Sequence, residues 1–188
     1  MMDRNTRVVN LFAGPCAGKS TIAAGVFSLL KLHGVSCELV TEYAKDLTWG
    51  EDRASLRCQP HVFGEQLRRM ERLRGKVDII VTDSPLLLSI VYWSFRESYI
   101  DKLVNDAFNS FTNINFKIER VKPFVQAGRN HSEEEARNLD QKIEDLLKEL
   151  HHPYFEVFGD EFGINSISLY VLEHVLGIGK RFSIVKGA

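Results

Sequence analysis

Short apolar runs alternate with stretches of helical periodicity along the whole chain. The runs fall at residues 7–12, 36–41, 77–82, 115–121 and 154–158. Between them apolar residues return every three or four positions, as Ile22, Val26, Leu29 and Leu30 do, and again Val62, Phe63, Leu67, Met70 and Leu73. Strands alternating with helices predict an α/β fold, a parallel sheet with crossover helices. The run 77–82 is nearly all apolar, as a central parallel strand must be. Helices are expected over 20–33, stopped by Gly34, and over a segment ended by Gly75. Others are expected over 86–93, 99–111 and 165–176, and a long one to about 150 opened by a capping box, Ser132-Glu133-Glu134-Glu135. Residues 45–60 read as a polar loop. The tail after Gly179 reads as an edge strand or a loose end.

The junction of the first strand and first helix carries the chemistry. Ala13-Gly14-Pro15-Cys16-Ala17-Gly18-Lys19-Ser20 follows G-x-x-x-x-G-K-[ST] at every fixed position but the first, where Ala13 replaces Gly. Small residues let successive backbone N–H groups curl around phosphate oxygens. Lys19 reaches the β- and γ-phosphates, and the Ser20 hydroxyl ligates Mg²⁺. The helix through Ser20 and Thr21 aims its positive end at the same anion. ATP with Mg²⁺ is the expected ligand.

Three further groups belong near that loop. Strand three ends in Thr82-Asp83-Ser84-Pro85, and an Asp about 60 residues after the loop is the expected second magnesium element. It can cap the following helix as well. Strand two runs into Thr41-Glu42-Tyr43-Ala44-Lys45, and ligands of open parallel sheets sit at the carboxyl ends of strands. Glu42 there can take a proton from an acceptor hydroxyl or bind ribose hydroxyls, Tyr43 can stack on a base-like ring, and Lys45 follows. A basic cluster, Arg53, Arg57, Arg68, Arg69, Arg72, Arg74 and Lys76, comes next. Gln66, Arg68 and Arg69 are the residues of its helix expected at an acceptor, against the alternative of a solvated face paired with Glu65 and Glu71.

Bulk properties narrow the class. A length of 188 residues predicts one domain, 1–188, and a net charge of −1 gives no global attraction to nucleic acid or anionic membrane. No apolar run approaches membrane-spanning length, and residues 1–5 do not read as a signal peptide. Cys16, Cys37 and Cys58 are odd in number and widely spaced, which suits reduced thiols and a cytoplasmic location. A guanine-reading N-K-x-D motif is absent, strand three leads into Asp83-Ser84-Pro85-Leu86 and not into a switch D-x-x-G, and Ser84 stands where many ATPases carry a water-polarising Glu. Transfer to a bound acceptor is therefore expected over hydrolysis.

On these residues the chain resembles small P-loop kinases related to the nicotinamide riboside kinase domain of a bacterial NAD-biosynthesis regulator. It also resembles ATPase/kinase-like proteins of tailed bacteriophages, which would place it in a host cytoplasm. The resemblance rests on AGPCAGKST, TEYAKD, FGEQLRR, DIIVTDSP and KPFVQAGRNHSEEEA. It implies a P-loop NTPase fold with a five-stranded parallel sheet, and ATP-dependent phosphorylation of a nucleoside-like acceptor near Glu42 and Tyr43. Small P-loop kinases place a lid between strand four and the following helix, here about 120–131. Its Arg120 and Arg129 would close over the triphosphate. A small nucleoside- or nucleotide-like acceptor is the first expectation. The basic cluster leaves open a nucleotide within DNA or RNA, which the net charge does not favour. An ATPase or nucleotide-sensing module is the third reading.

Overall fold

The computed structural model describes residues 5–93, 98–121 and 132–178. Its strands are β1 (Arg7–Phe12), β2 (Cys37–Val40), β3 (Ile79–Thr82), β4 (Thr112–Glu119) and β5 (Phe155–Phe158). They form one parallel sheet in the order β2-β3-β1-β4-β5. The helices are α1 (Lys19–Leu32), α2 (Tyr43–Trp49), α3 (Arg53–Arg57), α4 (Gln59–Glu71), α5 (Leu88–Tyr92), α6 (Ser98–Asn109), α7 (Glu133–Glu149) and α8 (Glu161–Tyr170). A π-helical turn, Val171–Val175, continues α8.

The side-chain alternation of β1 divides the interior. Val8 and Phe12 join a core with Ile80, Phe63 and Met70 of α4, Phe108 of α6 and Ile143 and Leu147 of α7. Val9 and Leu11 join the other, with Ile79, Val81, Ile22 and Val26 of α1 and Ile167 of α8. A strand covered on both faces has to be apolar on both, which is why the sequence of β1 and β3 shows runs and no alternation. One polar ladder interrupts the first core. Asn10, wholly buried, donates to Asn113 Oδ1 at 2.9 Å and Asn115 Oδ1 at 3.1 Å, tying β1 to β4 through side chains.

The element boundaries depart from the sequence expectation most in three places. Residues 45–60 are not a loop: α2 and α3 occupy most of them. Of α2 only Leu47 is buried, so its helical period leaves little trace, while Asp52 caps α3 by accepting from Ser55 N at 3.0 Å. β4 starts three residues early, at Thr112, because asparagines that look like loop residues are used by the ladder. α8 starts at Glu161, capped by Asp160 through Phe162 N and Gly163 N. The capping box of α7 is formed, with Ser132 N donating to Glu135 Oε2 at 2.6 Å and Glu135 N to Ser132 Oγ at 3.2 Å. Among the described residues no helix is long and apolar enough to cross a membrane.

Leu147 of α7 is fully buried in the first core. Leu147→Ala should lower unfolding free energy by about 2–5 kcal/mol, because the cavity adds to the lost transfer energy. Urea denaturation would show this as a lower midpoint at unchanged slope.

Candidate active site

β1 ends at Phe12, and the chain turns through Ala13–Gly18 into α1. The turn needs two left-handed residues, Cys16 at φ 63° and Gly18 at φ 96°. Lys19 folds back over it, its Nζ donating to Ala13 O at 2.7 Å and Gly14 O at 3.0 Å. No side chain caps the start of α1 and no acidic residue lies in its first turn. A helix start left without a cap is suited to an anion.

Three elements press on the loop from behind. A Cβ on Gly14 would lie 2.6 Å from Ala136 O of α7, and one on Gly159 would lie 2.5 Å from Ala17 O. Glycine is required at both for contact this close. Gly14 N donates to Asp140 Oδ1 of α7 at 2.5 Å. Arg120, just past β4, donates from Nη1 to Pro15 O at 2.7 Å and from Nη2 to Asp140 Oδ2 at 2.9 Å.

In front of the loop opens a cleft of about 490 Å³. Pro15, Cys16, Gly18, Lys19, Ser20 and Thr21 form one wall. Glu42 and Ser84, from the ends of β2 and β3, also line it, as do Lys45, Thr48, Trp49, Gln59, Leu88 and Tyr92 from α2, α4 and α5. Asp83 is 2% exposed and is not among the lining residues; its Oδ1 accepts from Glu42 N at 3.1 Å, joining the ends of β2 and β3. Ser20 and Asp83 supply hard oxygen donors, the chemistry that Mg²⁺ takes alongside phosphates and water. Among the described residues no group of three or more His, Cys, Asp or Glu forms a self-sufficient metal site.

The other residues expected at the site take different positions. Ala13, Gly14 and Ala17 are buried and belong to the loop through their backbone. Tyr43 does not line the cleft: its hydroxyl meets His61 Nε2 at 2.9 Å, and the Arg69 guanidinium lies 4.8 Å from its ring centre. Gln66 is buried and accepts from Tyr43 N at 3.0 Å. Arg69 pairs with Asp46 at 2.6 Å and Glu65 at 3.3 Å, and Arg68 pairs with Glu65 at 2.7 Å. The Arg68 hydrogen bond, helped by Arg69, holds the Glu65 carboxyl down to about 2. Arg74 pairs with Glu71 and lies over Phe111. Most of the lid expected over 120–131, with Arg129, lies outside the described residues. Trp49, Gln59, Leu88 and Tyr92 had no motif to announce them; they reach the cleft because α2, α4 and α5 converge there.

A five-stranded parallel sheet with a G-K-S loop between its first strand and helix defines a kinase-like P-loop NTPase fold. The sequence matches the family described as "AAA domain" over residues 8–161, and the chain belongs to that family. No curated protein matches it. Solved structures share the fold. Thymidylate kinase from Ehrlichia chaffeensis aligns with TM-score 0.60 and 14% identity over 91% of this chain and 99% of that one. Shikimate kinase from Aquifex aeolicus aligns with TM-score 0.51 and 16% identity over 90% and 99%. NadR protein, in complex with NAD and AMP-PNP, aligns with TM-score 0.64 and 13% identity over 97% of this chain and 52% of its own.

Gly159 touches the loop carbonyl of Ala17, so Gly159→Ala must displace one of them. Its expected effect is about a tenfold loss of ATP affinity with an unchanged circular dichroism spectrum. Titration with a fluorescent ATP analogue measures it.

Proposed function

We propose that this protein is an ATP- and Mg²⁺-dependent phosphotransferase whose acceptor is the hydroxyl of a small nucleoside-like molecule. One observation carries the reading: the loop suited to a triphosphate and Glu42 line the same cleft, together with the aromatic and apolar residues Trp49, Leu88 and Tyr92. A hydrolase needs only the first of these.

The acceptor class follows from the charges. Lys45 is the cation on the acceptor side among the described lining residues. Arg68, Arg69 and Arg74, which would have suited an acceptor phosphate or a nucleic-acid backbone, are satisfied by carboxylates outside the cleft. A flat, phosphate-free acceptor matches aromatic walls with few charges.

In this mechanism the loop N–H groups and Lys19 hold the triphosphate in line with the acceptor. The acceptor oxygen forms a bond to the γ-phosphorus as the bond from that phosphorus to the β–γ bridging oxygen breaks. ADP carries away the electron pair, and Glu42 accepts the hydroxyl proton. Magnesium, when bound through Ser20 and through Asp83 or a water on it, supplies charge neutralisation at the β- and γ-phosphates. Asp83 also fixes the backbone of Glu42 through the 3.1 Å hydrogen bond, so the proton acceptor is held relative to the metal side. Arg129 is assigned to the phosphoryl group in flight.

Incubation with ATP, Mg²⁺ and a panel of nucleosides, read by mass spectrometry, should yield a nucleoside monophosphate. Lys19→Ala should abolish it while the protein stays folded. Wild-type turnover in that variant would remove the P-loop assignment. Glu42→Gln should lower the transfer rate by roughly 10²-fold or more with ATP affinity nearly unchanged. An equal loss of ATP affinity would move Glu42 to the metal shell.

A further inference from the structure

We propose that Arg120 and Asp140 are a positioning pair that aims the phosphate-binding loop and does not itself contact the nucleotide. The inference rests on the reading of residues 13–20 as a triphosphate site. It reassigns Arg120, whose place in the sequence suggested a phosphate ligand.

A loop that turns its N–H groups toward an anion turns carbonyls away from it. Those carbonyls then need donors inside the protein. Lys19 Nζ serves Ala13 O and Gly14 O. Arg120 Nη1 serves Pro15 O at 2.7 Å. The remaining contacts close a ring: Arg120 Nη2 to Asp140 Oδ2 at 2.9 Å, and Asp140 Oδ1 to Gly14 N at 2.5 Å. One guanidinium and one carboxylate thus bracket the peptide groups of two consecutive loop residues, Gly14 and Pro15. Neither Arg120 nor Asp140 is among the residues that line the cleft. The Arg120 side chain is 7% exposed, and its charge is already met by Asp140.

The consequence falls on the next residue. In a trans peptide the C=O and N–H point in opposite directions. Pro15 O held against Arg120 therefore turns Cys16 N–H the other way, to the side on which Cys16 lines the cleft. Cys16 is also the non-glycine residue of the loop in the left-handed region, at φ 63°. That conformation is disfavoured for a residue with a Cβ and persists only where its surroundings impose it. Arg120 and Asp140 impose it from the end of β4 and from α7. The task needs arginine: its fork reaches a carbonyl and a carboxylate at once, and the single nitrogen of lysine does not reproduce that geometry.

The two roles for Arg120 predict opposite effects at Asp140. If Arg120 is a phosphate ligand, Asp140→Ala releases it toward the anion, and ATP affinity stays or rises. As a positioning pair, Asp140→Ala and Arg120→Ala each weaken ATP binding by about ten- to a hundredfold. The double variant is then no weaker than the worse single one, the sign of one shared interaction. Arg120→Lys does not restore binding. The dissociation constants are measured with a fluorescent ATP analogue well below each variant's unfolding temperature, so loss of stability alone leaves them unmoved. Asp140→Asn keeps an acceptor for Gly14 N but turns an amide toward the guanidinium. It should lose affinity too, and it carries the test if the alanine variants do not fold. Wild-type affinity in Asp140→Ala and Asp140→Asn, or its recovery in Arg120→Lys, overturns the pair. A wild-type protein that binds no triphosphate overturns the nucleotide reading itself, a result distinct from either.

Discussion

The double pairing of β1 constrains where every site group can stand. β3 flanks it on one side with Asn10 opposite Thr82, and β4 on the other with Phe12 opposite Lys117. In a parallel sheet all the strands end at the same edge. The loop after Phe12, Asp83 after Thr82 and Arg120 after Glu119 are thereby delivered together without any of them having to seek the others. The buried Asn10 ladder to Asn113 and Asn115 adds side-chain ties to the β1–β4 register. A slip by one residue would turn Val8, Asn10 and Phe12 into the wrong core and take the Asn10 amide away from its two acceptors on β4.

Backbone polarity is the second constraint. The loop is a length of chain without regular hydrogen bonds, pressed between α7 and Gly159. Its carbonyls cannot be left bare in such a place. Lys19 and Arg120 meet them from opposite directions, one from α1 and one from the end of β4. The cations nearest the loop therefore serve as framework. Lys19 combines this with a place in the cleft wall, whereas Arg120 stays behind it.

The distribution of arginines shows why charge along a sequence is a poor guide to charge at a site. Arg68, Arg69 and Arg74 crowd one helix and its end, and the sequence alone offered either a ligand or a solvated face. The folded chain brings Asp46 from α2 to Arg69 and the carbonyl of Ser110 to Arg74, contacts 23 and 36 residues distant in sequence, with the Phe111 ring under the Arg74 guanidinium. Such exposed pairs add little stability, but they leave those guanidiniums committed away from the cleft. Tyr43 is drawn the same way, between His61 and Arg69.

The sheet, its parallel sense and the phosphate loop were legible in the sequence because each rests on a local signal: apolar runs for doubly covered strands, helical spacing, and a motif whose glycines and lysine are contiguous. The capping box of α7 was legible for the same reason. α2 was not, since one buried leucine in seven residues leaves no period to see, and the aromatic wall containing Trp49 and Tyr92 went unseen with it. Glu42 could be placed at the cleft from its position at the carboxyl end of strand two, whereas the partners of Tyr43, Arg69 and Arg120 could not be foreseen. The sequence by itself determined the phosphate-loop motif and its place between the first strand and the first helix. Only the tertiary structure decided which charged side chains face the cleft and which hold the framework, because each charge goes to the nearest opposite charge or bare carbonyl in space, and those neighbours come from distant parts of the chain.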